Sequence, residues 1–124
     1  MSDIIDLTNE TWDAFVTKGN FRTVIEFYTP WCRESQMMAE VMDKMRSEFP
    51  SILFCRSNMD KFYMDAMRLK VEGVPSIILL IPISMMLVPN GGPATQLVVE
   101  HIKGFVSADV LREKLKAFMA WENA

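Results

Sequence analysis

The chain is short of the residues that several common chemistries require. Its two cysteines, Cys32 and Cys55, cannot build a disulfide framework in 124 residues. Together with the lone histidine, His101, they fall short of a metal ligand set, so no metal is expected. Basic residues are not in excess. Thirteen Lys and Arg against sixteen Asp and Glu leave a formal charge of −3, which offers no electropositive footprint for nucleic acid. The longest apolar run, Ile77 to Val88, is interrupted by Pro82 and too short to span a bilayer. The N-terminus carries no basic segment followed by an apolar one, and the closing W-E-N-A is not a retention signal for the endoplasmic reticulum. As numbered, the chain is expected in the cytoplasm; as a domain excised from a secretory-pathway protein it would belong to the endoplasmic reticulum lumen.

What is present suits one globular domain spanning 1–124, since half the residues are hydrophobic and 23% are charged. Eleven methionines are unusual and read mainly as core filler, with an adaptable binding surface as the alternative. The most informative stretch is Val24 to Ser35, V-I-E-F-Y-T-P-W-C-R-E-S. Val24 to Tyr28 has the β-branched and aromatic content of a buried strand. Beyond Pro30, the residues Met38, Val41, Met42, Met45 and Phe49 recur at helical spacing. Cys32 therefore stands where a strand passes into a helix N-terminus, where free backbone N–H groups and the helix dipole favour a thiolate. A cysteine of ordinary pKa, about 8.5, is only about 3% ionised at pH 7; a fall of about two units would make it about three-quarters ionised. Arg33 pushes in that direction and Glu34 against it.

Around this stretch the chain reads as alternating strands and helices. Ile4 to Leu7 is a strand, Thr8 caps a helix from Asn9 to Lys18 with Trp12, Phe15 and Val16 on one side, and Phe21 to Tyr28 is the strand before Cys32. A helix from Cys32 to Glu48 ends at Phe49-Pro50, Ile52 to Arg56 is a third strand carrying Cys55, and a short helix that Asn58 or Asp60 can start closes near Leu69. The run from Ile77 forms a central or near-central strand followed by an apolar turn, Pro89 to Pro93 is a turn, and Gln96 to Lys103 is the last strand, with His101 an ordinary member of it. Ser107 caps a final helix with an inward stripe of Val110, Leu111, Leu115, Phe118 and Met119. Glu26 is the anomaly of its strand: either an edge position reaching water or a paired buried carboxylate.

I-E-F-Y-T-P-W-C closely resembles the active-site approach of protein disulfide isomerase domains, a branch of the thioredoxin superfamily. G-V-P-S at Gly73 to Ser76 is similar to that superfamily's cis-proline loop, and Gly104 before a terminal amphipathic helix fits its last strand and helix. The resemblance covers Ile4 to about Phe118. It implies a thioredoxin fold of the α/β class, with a mixed five-stranded sheet flanked by four helices. It also implies a cis Val74–Pro75 bond whose backbone edge pairs with an extended substrate, Trp31 shielding the thiolate, and Glu26 as a buried carboxylate beneath the site. From Pro75 to Gly104 the chain is longer than small thioredoxins require, so the hairpin from Pro82 to Leu97 is an addition.

One departure outweighs the matches. Where the family has Cys-x-x-Cys, this chain has Cys32-Arg33-Glu34-Ser35. In a two-cysteine site the second thiol releases the mixed disulfide made by the first; Ser35 cannot, although its hydroxyl can hydrogen-bond the Cys32 thiolate. A quality-control chaperone of the endoplasmic reticulum in the same family reads W-C-R-F-S-Q-M against W-C-R-E-S-Q-M here, and resembles a thiol trap. The arginine that isomerase domains place after the last strand, where it tunes the second cysteine, is absent from Phe105-Val106-Ser107. The site residues are thus Cys32 and Ser35 for chemistry, Trp31, Val74 and Pro75 for substrate, and Glu26 and Arg33 in support. The expected function is a monomeric, monothiol thioredoxin-like protein forming mixed disulfides with client thiols or glutathione, with no cofactor beyond glutathione as a possible co-substrate. Two alternatives stand beside it: a redox-inert binding module, and a dithiol oxidoreductase whose second cysteine was replaced to give Ser35. Whether Cys32 turns over is left open; thiol–disulfide exchange is the most such a site supports.

Overall fold

In the computed structural model, which describes residues 4–82 and 96–121, the strands run β1 (Ile5–Asp6), β2 (Thr23–Tyr28), β3 (Leu53–Asn58), β4 (Ser76–Pro82) and β5 (Gln96–Lys103). They form one sheet in the order β1-β3-β2-β4-β5. β1, β3 and β2 are parallel, whereas β4 and β5 join antiparallel, so the sheet is mixed as expected. The parts of the apolar run beyond Pro82, the Pro89 to Pro93 turn and most of the hairpin from Pro82 to Leu97 lie outside the described residues.

Four helices accompany the sheet among the described residues. α1 opens as Asn9–Thr11 and continues as a π-helical segment, Trp12–Thr17. α2 is Arg33–Glu48, α3 is Tyr63–Arg68 and α4 is Ala108–Ala120. Thr8 caps α1, its side chain and that of Thr11 each accepting the other's backbone N–H, and Ser107 caps α4 through Val110 N–H. The π-helical turn was not expected. It shows in Lys18 N–H donating to Asp13 C=O, a five-residue step, while Trp12 and Val16 still reach the core from one face.

Strand alternation divides the core into two layers. Val24 of β2 and Ile77, Leu79 and Ile81 of β4 meet Met38, Met42 and Met45 of α2 and Leu111, Leu115 and Phe118 of α4. Ile25, Phe27, Cys55, Ile78 and Leu80 face the opposite layer with Leu7, Trp12, Val16 and Ala66. Met38, Met42 and Met45 of α2 are wholly buried, whereas Met37 of the same helix and Met64 and Met67 are exposed, so methionine serves both as filler and as surface. Val110 corrects the expected stripe of α4: it is 47% exposed. Leu111, Leu115 and Phe118 fall within one narrow arc, and Val110 stands about 100° away from Leu111 on the helix.

Candidate functional site

The site lies where β2 ends. Tyr28 closes the strand, Thr29 to Trp31 form the connection, and Cys32 is the N-cap of α2 with extended backbone. The connection is fixed by its own polar groups. Cys32 N–H donates to Thr29 C=O at 3.2 Å, Gln36 Nε2 donates to Pro30 C=O at 2.8 Å, and Gln36 N–H donates to Cys32 C=O at 3.1 Å.

Ser35 is buried one turn into α2. Its hydroxyl accepts the Thr29 N–H at 3.4 Å and hydrogen-bonds the Cys32 sulfur, which also receives the Ser35 backbone N–H. These hydrogen bonds hold the Cys32 thiol below its ordinary range, and the Glu34 N–H adds to them. Slight desolvation and the Glu34 charge oppose the shift. Arg33, expected to help, is solvent exposed and is not among the groups that lower the thiol. The stabilisation is thus local to the first helical turn. Cys32 is half-buried, so its sulfur remains reachable.

Trp31 is 72% exposed, and its indole Nε1 donates to Asp60 Oδ2 at 3.0 Å. It is anchored outward rather than packed. On the other side, β4 runs antiparallel to β2 with Phe27 opposite Ser76, so Val74 and Pro75 lie alongside the end of β2. The Val74–Pro75 bond is cis, Pro75 C=O accepts the Gly104 N–H at 2.9 Å, and Val74 is half-buried. Gly104 itself has φ +82, a conformation suited to glycine.

Beneath this surface Glu26 is fully buried on β2, in the layer of α2. The edge reading is therefore excluded. Its Oε1 accepts from Arg56 Nε at 3.0 Å, while Oε2 is buried without a partner. Desolvation outweighs the Arg56 charge and hydrogen bond, pushing the carboxyl from 4.5 to about 7. Arg56 in turn lies over the Tyr28 ring, 3.9 Å from its centroid. The sequence reading missed Arg56 and Asp60. The only signal for Arg56 was a cation at the end of an apolar strand, and its pairing with Glu26 depends on the parallel register.

Cys55 sits in β3 opposite Ile25 and Ile5, fully buried. Burial alone drives its thiol from 9.0 to about 12, the behaviour of an inert core cysteine. Cys32 is thus the one cysteine in the region of the site. Among the described residues, no cluster of three or more His, Cys, Asp or Glu could hold a metal ion.

The thioredoxin family model matches residues 3–117. The chain belongs to the thioredoxin family. It is 29% identical over 79 residues to a probable protein disulfide-isomerase A6 of Medicago sativa, a match covering 61% of this chain and 22% of that protein. To thioredoxin of Haemophilus influenzae it is 23% identical over 81 residues, covering 64% of this chain and 76% of that one. Among solved structures, one from a study of thiol resolution in yeast mitochondrial 1-Cys peroxiredoxin via the glutathione and thioredoxin systems superposes with a TM-score of 0.71 at 25% identity, covering 93% of this chain and 95% of the other. Thioredoxin of Trypanosoma brucei brucei gives a TM-score of 0.72 at 20% identity, covering 96% and 93%, a likeness of fold. Thioredoxin-like proteins act on thiol or disulfide clients. No helix among the described residues is long and apolar enough to cross a membrane.

Proposed function

We propose that this protein is a monothiol member of the thioredoxin family that captures clients through a mixed disulfide at Cys32. The observation that carries the reading is Ser35, buried one turn beyond Cys32 at the position where a second thiol would otherwise stand. The Cys32 thiolate attacks one sulfur of a client disulfide. A bond forms between Cys32 and that sulfur, the client bond breaks, and the second client sulfur leaves as a thiolate. Release requires an incoming thiolate, from the client or from glutathione, to attack the mixed disulfide and return Cys32 as the leaving group. Ser35 cannot supply it, and Cys55 is buried in the sheet.

In this scheme Val74 and the cis Pro75 offer an extended backbone edge to the client, and exposed Trp31 borders the sulfur. Glu26 lies below, where a carboxyl near neutrality would serve a second cysteine. With Ser35 in that place it becomes a structural group that affects stability more than turnover. The test is Ser35→Cys. The variant should reduce insulin with dithiothreitol at a rate well above that of the parent, because it restores the resolving thiol to a site otherwise complete. A variant that folds and oxidises but shows no gain would contradict the reading, since the groove would then not admit substrate.

A further inference from the structure

Cys32 N–H donates to Thr29 C=O, three residues back, so Thr29 to Cys32 form a β-turn with Pro30 at the position its ring suits. That bond closes the turn but does not hold its central peptide, which runs from Pro30 C=O to Trp31 N–H. The orientation of the central peptide is what separates type I from type II turns, and it can swing while the closing bond stays made. A swing there carries the backbone of Trp31 and Cys32 with it. Among the described residues other than glycine only Lys70 has a positive φ, so Trp31 is not in the left-handed conformation that a type II turn needs at its place.

The side chain that holds this peptide is Gln36, whose Nε2 donates to Pro30 C=O at 2.8 Å. Helix α2 puts it there. Gln36 stands four positions after Cys32 and so on the same face, and helical side chains lean back toward the N-terminus. Its own N–H donates to Cys32 C=O at 3.1 Å. Gln36 therefore grips the chain at the carbonyl of Cys32 and again at the carbonyl two residues earlier. The grip bears on the chemistry because the Cys32 sulfur is stabilised by donors fixed in the first turn of α2, among them the Ser35 and Glu34 N–H groups. Hydrogen bonds weaken steeply as their geometry departs from the optimum, so the place of the sulfur sets their strength. Gln36 is exposed, and replacing it opens no cavity in the core.

We propose that Gln36 is a positioning residue for Cys32: its amide fixes the central peptide of the turn and so keeps the Cys32 sulfur over the N–H groups that open α2. The inference rests on the reading of Cys32 as the attacking thiol.

Gln36→Met keeps the length of the side chain and removes the donor, whereas Gln36→Lys restores a donor. Alkylation of Cys32 by iodoacetamide is followed against pH in the reduced protein by peptide mass, with urea unfolding measured alongside. Gln36→Met should move the profile to higher pH and slow alkylation at pH 7 about threefold, the size expected of one exposed hydrogen bond. Gln36→Lys should return the profile to that of the parent in about 1 M salt, where the Debye length of about 3 Å screens the added charge. Formation of the adduct with oxidised glutathione at pH 7 should fall and recover in step. A residue that only stabilised α2 would shift the urea midpoint and leave the pH profile where it was.

A Gln36→Met profile that coincides with the parent's would overturn the assignment, and so would a Gln36→Lys profile in high salt that matches Gln36→Met instead of the parent. A parent protein whose Cys32 alkylates but forms no adduct with oxidised glutathione would overturn the capture reading instead, and the alkylation profiles would still decide for or against Gln36.

Discussion

Glu26 and Arg56 face each other across the β2–β3 register, joined at 3.0 Å on the layer that α2 covers, with one carboxylate oxygen satisfied and the other left without a partner. A carboxyl so placed is held near pH 7 because burial outweighs its cation. Folding therefore strengthens its hold on the proton, which has a defined consequence for stability.

With a pKa of 4.5 when unfolded and about 7 when folded, Glu26 costs nothing below pH 4.5. It opposes folding increasingly as pH rises, and the full cost of about 3 kcal/mol is reached above pH 7. Glu26→Gln should remove this component. Urea unfolding at pH 5 and pH 8 should show the variant gaining on the parent as pH rises; a parallel pair of pH profiles would contradict the assignment.

Ser35→Ala should raise the Cys32 thiol toward its ordinary range, because the hydroxyl is one of the two main groups that lower it. Alkylation of Cys32 measured against pH should shift to higher pH and become several-fold slower at pH 7. Arg33→Ala should leave the profile unchanged, since Arg33 is not among those groups.

Cys55 should label only when the sheet opens, so its alkylation in the native protein should lag far behind that of Cys32 and rise in step with added urea. Cys55→Ser should lower stability by about 1–3 kcal/mol, as a hydroxyl there is buried among apolar side chains. Rapid native labelling of Cys55 would show that it is accessible to a mixed disulfide and undo its exclusion from the chemistry.

Much of this arrangement is written in local pattern. Val24 to Tyr28 reads as a buried strand and is one, and the spacing of Met38, Met42 and Met45 correctly gives the buried face of α2. Ser107 and Thr8 cap the helices they precede. What local pattern does not carry is register. The partner of Glu26 lies thirty residues away on a parallel strand, and Trp31 finds Asp60 only because β2 and β3 end together. Val110 faces solvent because apolar character at a first-turn position does not fix which way a side chain points. A basic neighbour in sequence does not reveal that the groups favouring the Cys32 thiolate are those of Ser35.

The claim that Cys32 holds rather than turns over is tested most directly by incubating the reduced protein with oxidised glutathione and following intact mass. The account predicts a one-to-one glutathione adduct on Cys32 that persists, and that reverts to the reduced protein only when reduced glutathione is added. Spontaneous loss of the adduct, leaving an internal Cys32 to Cys55 disulfide lighter than the reduced protein by a pair of hydrogens, would contradict it.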